Sequence, residues 1–411
     1  MNSAFPEFFL QERLGSFSWS PGPSNGGRSL KSFCDVTLQD VIGRVVQSDK
    51  KNIKAGTGSS APAVDEAEDL VERLRSLRVV DGDIPEINYS SLRFPIMFRA
   101  DLPAQKFPNR FPNDPGYVVP LYVAATRGLA LKDVDFLLGG SALEILANRS
   151  IDDDCSYLLQ RVKNVIVMAK SKDYVQNYAD VGFQFERLVT GAGIGDLHGK
   201  IKHENLQVMR IGTMKVLFSA DVDAIDASGN VVEVKSGNPR YFGSKVMFQM
   251  LSSGAQSLVF ADKRGSSLNG IIKRTIDELM EEHAQSQRLR MQRNIVSALT
   301  AIKEKSAEIS ESFPCRLVLT GAEGILLQPR PESESLLPKV EVVDALLLTA
   351  ASKSVASQKS SSSVTPAAPP GAAVSSLSML PSIIQAKLPI IGASVVREEK
   401  PLSSVLKKNP P

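Results

Sequence analysis

An α/β fold of the α+β kind, built of mixed β-sheets flanked by helices, is what this 411-residue sequence predicts. Three observations lead there. Lys215 to Ile225, Val231 to Ser236 and Ser257 to Ala261 are apolar, β-rich runs, the first two flanking a cluster of turn residues. Two neighbouring segments, after Asp180 and after Ser244, repeat their apolar residues at helical spacing. With 43% hydrophobic and 23% charged residues, the chain can also bury at least one sizeable core.

In chain order, Met1 to Leu14 mixes Glu7, Glu12 and Arg13 among its apolar residues, so no secretory leader is expected. Residues 1–47 are expected to pack on the body. Residues 48–64, rich in Lys, Gly, Ser and Ala, read as a flexible surface loop, and 65–340 as the dense folded domain. Asp180 is placed to cap a helix whose Phe185, Leu188 and Val189 share one face, with Gly191 at its end. Asp226-Ala227-Ser228-Gly229-Asn230 is a turn by composition. Ser244 starts a second helix, with Met247, Met250 and Leu251 as its stripe and Gly254 closing it; Arg274 to Ile309 reads as a long helical region. From 341 to 411 the composition turns to Ser, Pro and Ala, which buries too little apolar surface to offset ordering, so a disordered tail is expected.

Several classes are excluded early. The net charge of +3 gives no global pull on nucleic acid, so a nucleic-acid site must rest on local groups. Cys34, Cys155 and Cys315 form no CxxC pair, which excludes a zinc ribbon and points to a reducing compartment. No apolar run is long enough for a membrane span, and a soluble protein of the nucleus or cytoplasm is expected. Gly191-Ala192-Gly193-Ile194-Gly195 follows a helix and lacks the dinucleotide spacing, so it reads as a loop.

Chemistry concentrates on the hairpin. Alternation along a strand points Asp221 and Asp223 one way, and Glu233 and Lys235 one way on the returning strand. A turn centred on Ser228 sets Asp223 opposite Glu233 and Asp221 opposite Lys235, with Val222, Val232 and Val234 facing the core. Three carboxylates on one patch raise one another's pKa unless a cation compensates, and one lysine leaves them short. A hard divalent ion, Mg²⁺ or Mn²⁺, takes oxygen ligands of this kind and can activate water beside a phosphate. The alternative is a solvated, salt-bridged strand face.

An acidic residue followed by Glu-x-Lys on an adjacent strand resembles the PD-(D/E)XK nuclease core. The surrounding segments resemble, in order, the DXO-type decapping exonuclease family. Gly182-Phe183-Gln184-Phe185-Glu186 matches its Gly-Φ-x-Φ-Glu helix, and Asp221-Val222-Asp223 its Glu-Φ-Asp, with Asp in place of the usual Glu. Glu233-Val234-Lys235 matches Glu-Φ-Lys, and Lys245 with Gln249 the closing helix. Thr126-Arg127-Gly128 looks like the upstream Arg motif, and Leu14-Gly15-Ser16-Phe17-Ser18 like the N-terminal segment. The resemblance implies a metal held by Asp221, Asp223, Glu233 and the Val234 carbonyl, with Glu186 binding through water or a second ion. It implies Lys235 and Gln249 around the nucleophilic water, Arg127 on RNA phosphates and Lys245 beside them. The implied activity is hydrolysis at RNA 5′ ends: decapping of incomplete or NAD caps, 5′-triphosphate hydrolysis, or 5′-3′ exoribonuclease action. Capped, NAD-capped, triphosphate or monophosphate RNA ends are the expected partners, no membrane, and a monomer, with a separate 5′-3′ exoribonuclease as a possible protein partner. Two other readings stay open: a DNA nuclease of the wider PD-(D/E)XK group, and a catalytically weak relative that binds RNA and regulates.

Overall fold

The computed structural model describes residues 5–20, 78–81, 84–107, 117–151, 156–171, 174–191, 202–237, 243–320, 324–337, 343–344 and 347. The 48–64 loop, nearly all of the 341–411 tail, Cys34, Cys155 and His198 lie outside them.

A nine-stranded mixed sheet forms the frame. Its strands are β1 (Phe8–Ser20), β2 (Arg78–Asp81), β5 (Phe136–Leu138), β6 (Ser156–Val162), β7 (Val165–Ser171), β9 (Lys202–Ile211), β10 (Met214–Asp221), β15 (Cys315–Thr320) and β16 (Gly324–Pro329). They lie in the order β16-β15-β6-β7-β5-β10-β9-β1-β2. A five-stranded sheet, β11-β12-β13-β14-β3, is built from β3 (Ile96–Met97), β11 (Ala224–Ile225), β12 (Val231–Lys235), β13 (Ser257–Arg264) and β14 (Ser267–Thr275). Strands β4 (Ala104–Phe107) and β8 (Tyr174–Asn177) pair separately. The helices are α1 (Val119–Thr126), α2 (Gly140–Asn148), α3 (Val181–Val189), α4 (Gly243–Ser253), α5 (Ile276–Glu281) and α6 (Gln285–Glu304). The expected mixed α/β architecture is therefore the one the chain adopts.

Strand alternation gives the large sheet two buried faces. Val216 and Phe218 of β10 join α2, α4 and α6 in one core, while Leu217, between them, joins α1 in another. This explains why α1 has no polar stripe: Val119 through Ala125 are all buried. A third core sets Phe185 and Val189 of α3 against Val232, Val234 and Val259 of the smaller sheet. Asp180 caps α3 as expected, accepting from the amides of Gly182 at 2.7 Å and Phe183 at 3.3 Å. Met247, Met250 and Leu251 are buried on α4, and Gly254 closes it at φ +75°, where a side chain is strained. Ser244 lies inside α4 rather than before it, since the helix starts at Gly243.

Two expectations need correction. Lys215 to Ile225 is not one strand. The large sheet takes the chain as far as Asp221, and the smaller sheet takes it again from Ala224, so Val222 and Asp223 form the crossing between sheets. Nor is Arg274 to Ile309 helical throughout: β14 runs to Thr275, whose side chain and that of Glu278 form a capping box for α5, and Glu282 to Ala284 separate α5 from α6.

Packing also continues past residue 340. Gln160, 1% exposed, donates to the Glu311 carbonyl and accepts from the Ser335 hydroxyl and the Leu336 amide. Leu336, Leu337 and Val343 are buried in the core around α1, and Asp344 pairs with Lys163 at 2.6 Å. A chain ending at Val340 loses Val343 and that pair. It is expected to unfold about 2–3 kcal/mol more easily, because a buried valine alone contributes about 1.5–3 kcal/mol. A chain ending at Ala350 is expected to melt with the full-length protein, and thermal denaturation of the two compares them directly.

Candidate active site

The crossing between sheets assembles the charges. Ala224 pairs with Val232 and Ile225 with Val231, the register that a turn centred on Ser228 sets, so the strand direction brings Asp223 opposite Glu233. Asp226 holds the turn, its side chain accepting from the amides of Ser228 and Asn230, each at 2.9 Å. Freed from the ladder, the Asp223 carboxylate accepts the Val234 amide at 2.7 Å.

Lys235 is the centre of the group. Its Nζ pairs with Glu233, lies 3.5 Å from Asp223 Oδ2 and donates to the Val234 carbonyl at 3.1 Å. Glu233 is 5% exposed. Burial pushes its carboxyl up to about 7; the Lys235 ammonium pulls it down, while Asp223 and Asp221 push it further up. Burial works against charge on Lys235, but Asp223, Glu233 and Glu186 outweigh it and hold the ammonium well above the ordinary lysine range. Glu186 of α3 acts on the same ammonium and Asp221 of β10 on the Glu233 carboxyl, while Asp223 and Glu233 are the carboxylates in direct contact with Lys235.

Local sequence explains the approach of α3. A Cβ on Gly182 would lie 2.8 Å from the Asp180 cap and 3.3 Å from the Ser236 hydroxyl, so a larger residue would push on the capping carboxylate where the helix starts against the end of β12. On the other side, a Cβ on Gly140 would lie 2.4 Å from the Ser252 hydroxyl and 3.1 Å from Gln249 Cα, so α2 and α4 touch there. Gln249 then carries a buried Oε1 with no hydrogen-bond partner among the described residues. Lys245, one turn earlier on α4, is exposed.

Arg127 does something the motif did not suggest. Its guanidinium donates to the carbonyls of Leu14 (2.8 Å), Gly15 (2.9 Å) and Ser16 (2.7 Å), where β1 shifts register against β9. It clamps the N-terminal strand, and the RNA-phosphate role must share a group already committed to three carbonyls. Arg127→Ala is expected to cost about 2–3 kcal/mol of stability, the scale of charge-assisted hydrogen bonds. Amide exchange at Ser16 and Phe17 should accelerate with it.

Glu204 went unread in the sequence. It is buried, stands directly opposite Asp221 in the β9–β10 ladder and accepts the Ser219 hydroxyl. The signal was Gly212-Thr213 between two β-rich runs, a two-residue hairpin that fixes this register. Its neighbours on the other face, Asn205 and Gln207, donate to the Ser253 and Ser252 carbonyls and hold the end of α4.

The donor set suits a hard divalent cation: carboxylate oxygens, a backbone carbonyl and an orphaned amide oxygen. Among the described residues, however, no three such side chains are gathered ready around one point. Lys235 Nζ contacts Asp223, Glu233 and the Val234 carbonyl at once.

No family model matches the chain, and no curated protein matches it. Solved structures do. The chain is similar to Rai1 and Dxo1. S. pombe Rai1 is 16% identical over 62% of this chain and 90% of that one, with a TM-score of 0.44. Candida albicans Rai1, solved in complex with pU5-Mn²⁺, is 10% identical over 56% and 78%, with a TM-score of 0.40. K. lactis Dxo1, in complex with manganese, is 14% identical over 54% and 72%, also at 0.40. At this distance the function rests on the chain's own residues.

Proposed function

We propose that the chain is a divalent-metal-dependent hydrolase of phosphate bonds at RNA 5′ ends. The observation that carries this reading is the contact of Asp223, the buried Glu233 and the Val234 carbonyl with the one Lys235 ammonium, at the end of the crossing between the two sheets. Such a group is costly to bury and has no structural use that apolar residues would not serve better. Bound there, Mg²⁺ or Mn²⁺ would supply a Lewis acid that lowers the pKa of water and stabilises charge on a phosphate.

Asp221, Asp223, Glu233 and the Val234 carbonyl would hold the ion, and Glu186 would bind it through water. Lys235, beside the ion's ligands, would turn an N–H donor to the attacking water or the phosphate oxygens. The Oε1 of Gln249 would accept a hydrogen bond from that water and so aim its lone pair. RNA ends suit the site by the match of Gly182 to Glu186, Asp221 to Asp223, Glu233 to Lys235, and Lys245 with Gln249 to the decapping motifs.

The test is incubation of purified protein with 5′-triphosphate, GpppA-capped, NAD-capped and 5′-monophosphate RNAs, with Mn²⁺ and with EDTA. Hydrolysis of at least one, abolished by chelation, is expected. Full activity in excess EDTA, or cleavage of none, contradicts the reading.

A further inference from the structure

Helix α3 presents an aromatic group beside the carboxylates that the chemistry of bond cleavage does not use. Phe183 stands at i and Glu186 at i+3, neighbours on the helix surface with Cβ atoms about 5–6 Å apart, and Arg187 follows at i+4. The Phe183 ring is partly exposed. The buried Tyr178 ring meets it edge-on, centroids 5.0 Å apart at 81°, which fixes its plane. The Arg187 guanidinium lies 5.4 Å from its centroid and has further contacts of its own, so it too is held.

We infer that Phe183 and Arg187 form a stacking platform for the base of the nucleotide whose phosphate meets the cluster. This rests on the reading of the site as one for RNA 5′ ends and names how it takes single strands. Nucleobases stack on aromatic rings and guanidinium planes whatever their sequence, and an unpaired end can offer its base where a duplex cannot. A rigid ring one helical turn from Glu186 is close enough for a single nucleotide to span base and phosphate. The platform thus sets a preference for single strands with little preference among bases.

The experiment measures binding of 3′-fluorescein-labelled 5′-phosphorylated oligouridine by anisotropy in EDTA, so no hydrolysis intervenes. The probes are the oligomer itself and one with an abasic first residue. Phe183→Leu keeps apolar volume but loses the π face, and is expected to weaken binding of the intact oligomer about tenfold. Phe183→Trp should restore it, and all three proteins should bind the abasic oligomer equally. Equal binding of the intact oligomer by Phe183→Leu and wild type overturns the platform alone. Absence of binding by the wild type overturns the platform as well, whereas the 5′-end reading fails separately, if none of the four RNAs is hydrolysed with Mn²⁺.

Discussion

Replacing Glu233 with Gln is expected to stop hydrolysis while making the metal-free protein harder to melt. The carboxyl is raised to about 7 by burial, against Lys235 and with Asp223 and Asp221, so the folded state holds this proton more tightly than the unfolded chain does. Ionising it therefore costs stability as pH rises from the ordinary carboxylate range through about 7, and the cost is complete above that. Gln is isosteric and never ionises. At pH 8 the variant should be more stable by about 1–3 kcal/mol, on the scale of 1.4 kcal/mol per pKa unit. The gain should shrink below pH 7 and vanish near pH 4–5. Added Mn²⁺ should raise the melting temperature of the wild type and leave the variant unmoved. Turnover should fall at least about a thousandfold, since a proposed ligand of the ion is gone. Differential scanning across pH, with and without Mn²⁺, reads all of this, and a variant less stable than wild type at pH 8 contradicts it.

The second large effect belongs to Lys235. Removing the ammonium in Lys235→Met strips Asp223, Glu233 and the Val234 carbonyl of the cation they now share. The side chain is 26% exposed, so solvent already screens part of the pairing; the metal-free protein should lose about 2–3 kcal/mol, below the range for a fully buried pair. The ion, freed of its competitor, should bind about tenfold tighter, in line with one unit charge removed at close range in a partly screened site. Turnover should nevertheless fall at least about a hundredfold, because the ammonium that would orient the water or steady the phosphate is gone. Mn²⁺ titration followed by electron paramagnetic resonance separates affinity from rate. Weaker Mn²⁺ binding by the variant would mean that Lys235 supports the ion rather than standing in its place.

What the sequence disclosed and what it hid follow from range. Asp180, Gly191 and Gly254 mark helix ends through bonds and angles within a few residues, and each mark held. The Ser228 turn likewise fixed the register that brings Asp223 opposite Glu233, because a two-strand pairing is set by its own loop. The change of sheet at Val222 left no local sign: it depends on β10 pairing with β5 and β9, and β12 with β13, none of which the turn encodes. Glu204 is different: the Gly212-Thr213 hairpin sets β9 against β10 and so places it opposite Asp221, but no motif directed attention to that pair. Arg127 could be read as a phosphate ligand or a clamp from its chemistry alone; three carbonyls brought from over a hundred residues away decide what it holds. Val343 sits past the last motif and past the boundary expected at 340, but within an apolar run that precedes the Ser- and Ala-rich stretch, and the core around α1 takes it in.

The most direct measurement takes one 5′-triphosphate RNA in linear form and the same sequence closed into a circle, each with the protein and Mn²⁺. A site that grips terminal phosphates and threads a single strand is expected to consume the linear RNA and leave the circle intact. Cleavage of the circle at a comparable rate would contradict action at 5′ ends and turn the same carboxylates into those of a general nuclease.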